Sequence, residues 1–179
     1  GGTPTGEAIR DLLQHDKAGE PLAAETETLL FLASRAQLVR CVIAPALEAG
    51  TWVICDRFMD STTAYQGFGR GFGAERIQAL NAFAVGRVLP DLTLLLDLDV
   101  TAGFVRLQER AARTGAAPDR MEREEAAFHE RVRAGYRELA ARKPDRIRVI
   151  NADRDPETVE RTVWEAVCHV LGRTGAKGV

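Results

Sequence analysis

The chain has 179 residues, 45% of them hydrophobic and 28% charged, and its 24 Lys and Arg nearly balance 26 Asp and Glu for a formal net charge of −2. That length suits one domain with a single core. The charge balance removes the electrostatic case for polymeric nucleic acid or a membrane as partner, and no apolar run is expected to reach membrane-spanning length.

The chain opens on Gly1-Gly2-Thr3-Pro4, with neither an initiator Met nor an apolar leader, and reads as a piece of a longer protein. Residues 25–49 place Leu29, Leu32, Ala36, Val39, Ile43 and Leu47 at helical spacing, with Pro45 expected to kink or end the helix. Residues 52–55, 92–98 and 147–150 are short apolar runs without polar alternation, the pattern of strands buried in a parallel sheet. Helices are expected over 74–85, 101–113, 122–142 and 156–171. The last is announced by Asp155-Pro156-Glu157, a cap residue, a Pro at the first helical position and an acid in the first turn. Strands alternating with helices predict a doubly wound α/β domain over 1–171, followed by a loose tail at 172–179. Cys41, Cys55 and Cys168 lack metal or redox spacing and read as buried, reduced thiols, which favours the cytoplasm.

The chemistry concentrates after Trp52-Val53-Ile54-Cys55. An apolar run that stops at Asp56-Arg57 delivers two charges to the carboxyl edge of a sheet, where ligands of open α/β folds bind. Arg offers a planar fork of donors suited to phosphate, and Asp can orient a metal-bound water or the Arg itself. Ser61, Thr62, Tyr65 and Gln66 follow, among glycines. Gly67-x-Gly69-Arg70-Gly71 reads as a flexible loop carrying a basic residue. Upstream, Phe31 and Arg35 stand four apart on one helical face, so that a ring and a guanidinium can stack on a base and bond its edge. Arg106, Arg110, Arg113 and Arg120 flank residues 114–118, which suggests a lid over about 106–122 that closes arginines onto transferring phosphates. Asn151-Ala152 ends the last strand, where small residues let a flat ligand approach the backbone.

These segments together resemble the thymidylate kinase family. The likeness runs from Gly1-Gly2-Thr3-Pro4 and Gly6-Glu7 through Thr26 to Gln37, Cys55-Asp56-Arg57, Ala64-Tyr65-Gln66-Gly67, Pro90-Asp91-Leu92-Thr93, Leu96-Asp97 and Asp119-Arg120-x-Glu122, to Phe128 through Tyr136. It implies a P-loop NTPase-like doubly wound parallel sheet in three αβα layers, and transfer of the ATP γ-phosphoryl to thymidine monophosphate with Mg²⁺, in a cytoplasmic homodimer whose 25–49 helices pack across a twofold axis. By the same resemblance, Phe31 stacks on thymine and Arg35 bonds it. Thr62 contacts the base, Tyr65 lies against the deoxyribose with Gln66 beside it, and Arg57 holds the acceptor phosphate. Asp56 stands next to the metal, through water. Arg113 and Arg120 act from the lid, while Arg106, Asn151 and Ala152 lie on the ATP side.

The chain departs from the family pattern in two ways. No Gly-x-x-x-x-Gly-Lys-Ser/Thr loop occurs, and none of Lys17, Lys143 and Lys177 stands in a glycine-rich turn. The first strand, the phosphate-loop helix and the second strand of the family are therefore expected to be missing, and the 179 residues alone are expected to be inactive. Phe68 stands where Gly is common, a bulkier loop. Two other readings follow: a nucleotide-binding scaffold without its phosphate loop, and a deoxynucleoside kinase of related fold.

Overall fold

The computed structural model describes residues 2–15, 20–115 and 117–175. Gly1, Ala116 at the lid tip and residues 176–179 of the expected tail lie outside the described residues.

The first helix, α1 (Pro4–Gln14), was not among the expected elements, although its start is written in the sequence. Thr3 caps it, its Oγ1 accepting from the Gly6 amide at 2.9 Å, and Pro4 occupies the first turn, where no amide hydrogen is needed. Helix α2 (Ala24–Leu38) passes through a π-helical turn (Val39–Ile43) into α3 (Ala44–Glu48). The π turn lies directly before Pro45, whose ring would clash with the carbonyl four residues back in a regular helix. Widening that turn lets the helix continue where a kink or stop was expected. By length and composition, Ala24–Glu48 is long and apolar enough to cross a membrane, contrary to the expectation from the sequence. It also carries Glu27 and Arg35, both engaged in polar networks described below.

The run 52–55 does not form a strand. Val53 packs with the cluster of Val39, Ile43, Met59 and Val85, while Trp52 is 65% and Ile54 99% exposed. An apolar run becomes a strand only when a neighbour takes its amides and carbonyls, and among the described residues no strand pairs with it. The chain then coils as α4 (Met59–Thr62), a π-helical segment (Thr63–Gly69) and α5 (Ala74–Val85). Gly67 and Gly69 are thus buried in helical structure and are not part of a flexible loop.

Strand β1 (Thr93–Asp97) leads through α6 (Val100–Thr114) and α7 (Ala126–Arg142) to β2 (Ile147–Asn151), and α8 (Pro156–Gly175) follows. The strands pair in parallel, with Thr93 opposite Ile147 and Asp97 opposite Asn151. The described residues therefore form an α/β architecture on a two-stranded parallel sheet. Helix α8 continues to Gly175, into the segment expected as tail. The three cysteines are exposed, not buried: Cys55 belongs to the unpaired run, and Cys41 and Cys168 sit on outward helical faces.

The π-helical segment 63–69 and α7 approach closely because glycines line both sides. A Cβ on Gly135 would lie 2.5 Å from the Phe68 ring, and one on Gly69 would lie 2.7 Å from that of Phe128. Phe68 accordingly fills the notch at Gly135 and packs against the cluster of Leu139, Ala140 and Ile147 instead of enlarging a loop.

Candidate active site

Arg57 is the only non-glycine residue with positive φ among the described residues, at +62°. Such a backbone is held for about 1–3 kcal/mol only where its surroundings fix it, and it gathers at functional sites. Here the turn places the Arg57 guanidinium over the Tyr65 ring, 5.1 Å from its centroid. Tyr65 in turn meets Phe128 and Tyr136 edge to face, at 6.0 and 6.3 Å between centroids. The Tyr136 hydroxyl donates to Ser61 Oγ at 2.7 Å, and burial pushes its pKa up to about 12. Asp56, next to Arg57, is exposed.

A buried polar network ties α2 to this turn. Arg35 donates from Nη1 to Asn81 Oδ1 and from Nη2 to the Phe58 carbonyl, both at 3.0 Å, and lies over the Phe58 ring at 5.6 Å. Burial lowers the Arg35 pKa to about 10, which still leaves it a cation at neutral pH. Asn81, fully buried, donates to the Met59 carbonyl at 3.0 Å and to Thr63 Oγ1 at 3.2 Å. Phe31 stands one turn before Arg35, half-buried, and Thr62 is buried on α4. Arg57 thus meets Tyr65, while Arg35 ties α2 to the carbonyl of Phe58, the residue after Arg57, and to Asn81 of α5.

Gln66 is fully buried, and its Nε2 donates to Glu27 Oε1 at 2.7 Å. Glu27 also accepts from Arg70 (Nε to Oε1 at 3.2 Å, Nη2 to Oε2 at 2.9 Å) and from Arg120 Nη2 (to Oε2 at 2.6 Å). Burial opposes the Glu27 charge, but hydrogen bonds from Arg70, Gln66 and Arg120 outweigh it and hold its pKa below the usual carboxylate range.

Helix α6 carries Arg106, Arg110 and Arg113, three of the four arginines expected in a lid. Gly115, left-handed at φ +67°, ends it. The chain then turns on a reciprocal pair: the Asp119 amide donates to Glu122 Oε2 at 3.0 Å, and the Glu122 amide donates to Asp119 Oδ1 at 2.8 Å. This turn delays the next helix to Ala126, later than the expected start at 122. Arg110 Nη2 donates to both Glu122 oxygens at 2.8 Å. Arg113 is exposed, and no hydrogen bond or ion pair joins it to another described residue.

At the carboxyl edge of the sheet, Arg106 Nη2 donates to the Ala152 carbonyl at 3.0 Å, and the Ala152 amide donates to the Asp97 carbonyl at 2.9 Å. Asn151 Oδ1 accepts from the Asp153 amide at 2.8 Å. Asp97 is held by Arg133 of α7 at 2.9 Å. Arg106, Asn151 and Ala152 therefore gather in one place, away from the network around Glu27.

Sequence reasoning gave no role to Glu27 or Asn81. Glu27 lies four residues before Phe31, on the face already marked by Phe31 and Arg35. Asn81 lies midway between Ile77 and Val85 on the apolar stripe of α5. A polar residue on a core-facing stripe was the available signal in both cases.

Fold and site together define an α/β protein on a parallel sheet, with a strained Arg57 turn stacked on Tyr65 and a buried arginine–carboxylate network. The thymidylate kinase family profile matches residues 1–163. The thymidylate kinase of Thermomicrobium roseum is 50% identical over 173 residues, which cover 97% of this chain and 79% of that protein. That of Alkalilimnicola ehrlichii is 49% identical over 97% of this chain and 77% of its own length, and that of Desulfovibrio desulfuricans 49% identical over 98% and 81%. The chain belongs to the thymidylate kinase family, and with it to the P-loop NTPase fold.

Proposed function

We propose that the protein transfers the γ-phosphoryl group of ATP to thymidine monophosphate, giving thymidine diphosphate and ADP. The observation that carries this reading is the strained Arg57, poised over Tyr65, with Arg35 bonded to the carbonyl of the next residue, Phe58. A fixed cation there binds an acceptor phosphate bidentately, while the adjoining pocket takes a flat base. Phe31 stacks on the thymine, Arg35 and Thr62 bond its edge, and Tyr65, backed by Phe128 and Tyr136, closes the space a ribose 2′-hydroxyl needs. Arg106, Asn151 and Ala152 form the donor side, near adenine.

Transfer is in line and needs no covalent intermediate, so positioning and charge neutralisation supply the rate. Arg57 holds the acceptor oxygen in line, and Arg113, free of partners among the described residues, comes in with the lid. Among the described residues, no three His, Cys, Asp or Glu side chains group to hold a metal. The exposed Asp56 instead suits a Mg²⁺ that keeps its waters and arrives on the nucleotide's phosphates, and when bound that ion neutralises the phosphate oxygens. Asp56 meets it through water.

The donor phosphates also need a backbone cradle, and no such loop occurs in these 179 residues. We assign it to chain outside them, together with the first two strands of the fold, and expect no transfer from the 179 residues alone. The near-complete exposure of Ile54 and the half-exposure of Leu96 and Val149 support this, since a doubly wound sheet covers such side chains. Exposed Leu29, Val42 and Leu47 along the 24–48 helix support a homodimer, and the family reading a cytoplasmic one.

The test uses the intact protein and follows ADP release with thymidine monophosphate and with thymidine. Release with the monophosphate is expected, and release with thymidine alone overturns the assignment. In the same assay, Phe31→Ala is expected to weaken monophosphate binding by about 1–3 kcal/mol, the value of base–aromatic stacking, and to leave ATP binding unchanged. Equal loss for both nucleotides makes Phe31 a core residue.

A further inference from the structure

Glu27 is a fully buried carboxylate contacted by three side chains from two separate parts of the chain. Gln66 and Arg70 belong to the coil that carries Thr62 and Tyr65, and Arg120 belongs to the lid. Four donor contacts occupy the four lone-pair positions of its two oxygens, so the carboxylate has no capacity left for a ligand. Arg120 is tied down at two points. Its Nη2 is spent on Glu27, and its Nε donates to the Leu13 carbonyl at the end of α1 at 3.1 Å. Arg70 completes the cluster by donating to Glu124 Oε1 at 2.6 Å, so two arginines balance two carboxylates.

We propose that Glu27 is a positioning residue for the transfer, anchoring the stem of the lid to the back of the acceptor pocket through Arg120. The proposal rests on the phosphoryl-transfer reading above and sharpens it, because it takes Arg120 off the phosphates and leaves Arg113 as the cation the lid delivers. Withdrawing Arg120 towards a nucleotide would strip a cation from a carboxylate buried away from solvent, an unfavourable step. Arg113 faces no such obstacle, being exposed and unpartnered among the described residues. The same carboxylate touches the coil bearing the acceptor contacts and the lid stem, so the lid is built in register with the pocket it covers.

The experiment is a double-mutant cycle on the intact protein, read by amide hydrogen exchange over residues 117–125 and by steady-state kinetics. Glu27→Gln keeps the shape and removes the charge, while Arg120→Met breaks the same contact from the lid side and tests it should the first variant fold poorly. Each single change is expected to speed exchange of the lid stem by roughly 10- to 100-fold, the range for a lost hydrogen bond to a charged group. The double variant is expected to match Glu27→Gln in exchange and in kcat, since the Glu27–Arg120 contact that Arg120→Met breaks is already lost there. Unchanged exchange in both variants overturns the anchor. So does a further loss of about 100-fold or more in kcat when Arg120→Met is added to Glu27→Gln, because that would place Arg120 on the phosphates. The exchange measurement uses no nucleotide, so it decides the anchor even if wild-type protein releases no ADP with thymidine monophosphate, the result that would sink the functional reading instead.

Discussion

The acceptor side of the molecule and its sheet side solve burial in opposite ways. Around α2, the 59–69 coil, α5 and α7, polar groups go deep into the interior and are met there: Glu27 and Asn81 are fully buried, and Thr62, Thr63 and Gln66 nearly so. Around β1, β2 and the 52–55 run, the reverse holds, and apolar side chains such as Ile54, Trp52, Leu96 and Val149 face outward. The proposed binding of a base and a phosphate there calls for fixed polar groups, and only mutual hydrogen bonding makes their burial tolerable. The sheet side has no such demand, and its exposed apolar atoms mark surface that is complete only when covered.

The two sides are stitched together at one seam. Asp60 of α4 accepts from Arg146 Nη1 and Nη2, both at 2.7 Å, and from Thr93 Oγ1 at 3.0 Å, which joins the coil to the starts of both strands. Arg146→Ala would leave a largely buried carboxylate with one neutral donor, and removing one partner of such a pair costs about 3–5 kcal/mol. Urea unfolding of the intact protein is expected to show a loss in that range. A loss under about 1 kcal/mol, the value of a surface pair, would mean that the halves are held together elsewhere.

A smaller effect is expected where the 63–69 segment meets α7. Gly135→Ala puts a methyl 2.5 Å from the Phe68 ring, against a core already filled by Leu139, Ala140 and Ile147. Overpacking of this kind costs about 1–3 kcal/mol. In a Phe68→Ala background the cost of Gly135→Ala is expected to fall close to zero, since the ring it strikes is gone. Thermal unfolding of the four proteins measures the coupling, and additive losses would show that Gly135 serves the helix backbone rather than the notch.

The sequence was legible where one principle acted alone. The alternation of helices with β1 and β2, and the limits of α5, follow from apolar spacing and caps that tertiary contacts did not overrule. Phe31, Arg35, Arg57, Thr62 and Tyr65 could be named from their order in the chain; of these, Arg57 stacks on Tyr65, and Arg35 bonds the carbonyl of the residue after Arg57. What escaped depended on partners distant in sequence. Glu27 looks like a solvated first-turn acid until Arg120, 93 residues away, is seen on it. Residues 63–69 look like a glycine-rich loop until α7 closes over Gly69. The 52–55 run has a strand's composition, but strand pairing belongs to two segments, and composition reports on one.

The smallest expected effect tests that last point most directly. Ile54→Ala removes an apolar side chain that is 99% exposed, so in the 179-residue chain it should change unfolding free energy by no more than about 0.5 kcal/mol. If chain outside these residues pairs with 52–55 and completes the sheet, the same substitution in the longer protein deletes a core side chain and is expected to cost about 2–5 kcal/mol. The comparison therefore lies between two proteins carrying one substitution, each measured by urea unfolding against its own parent. Near-zero change in both would mean that Ile54 stays in water throughout and that the cover of the sheet lies elsewhere. A loss of about 2 kcal/mol or more already in the 179-residue chain would contradict the exposure of Ile54 itself, and with it the contrast between a closed acceptor side and an open sheet side.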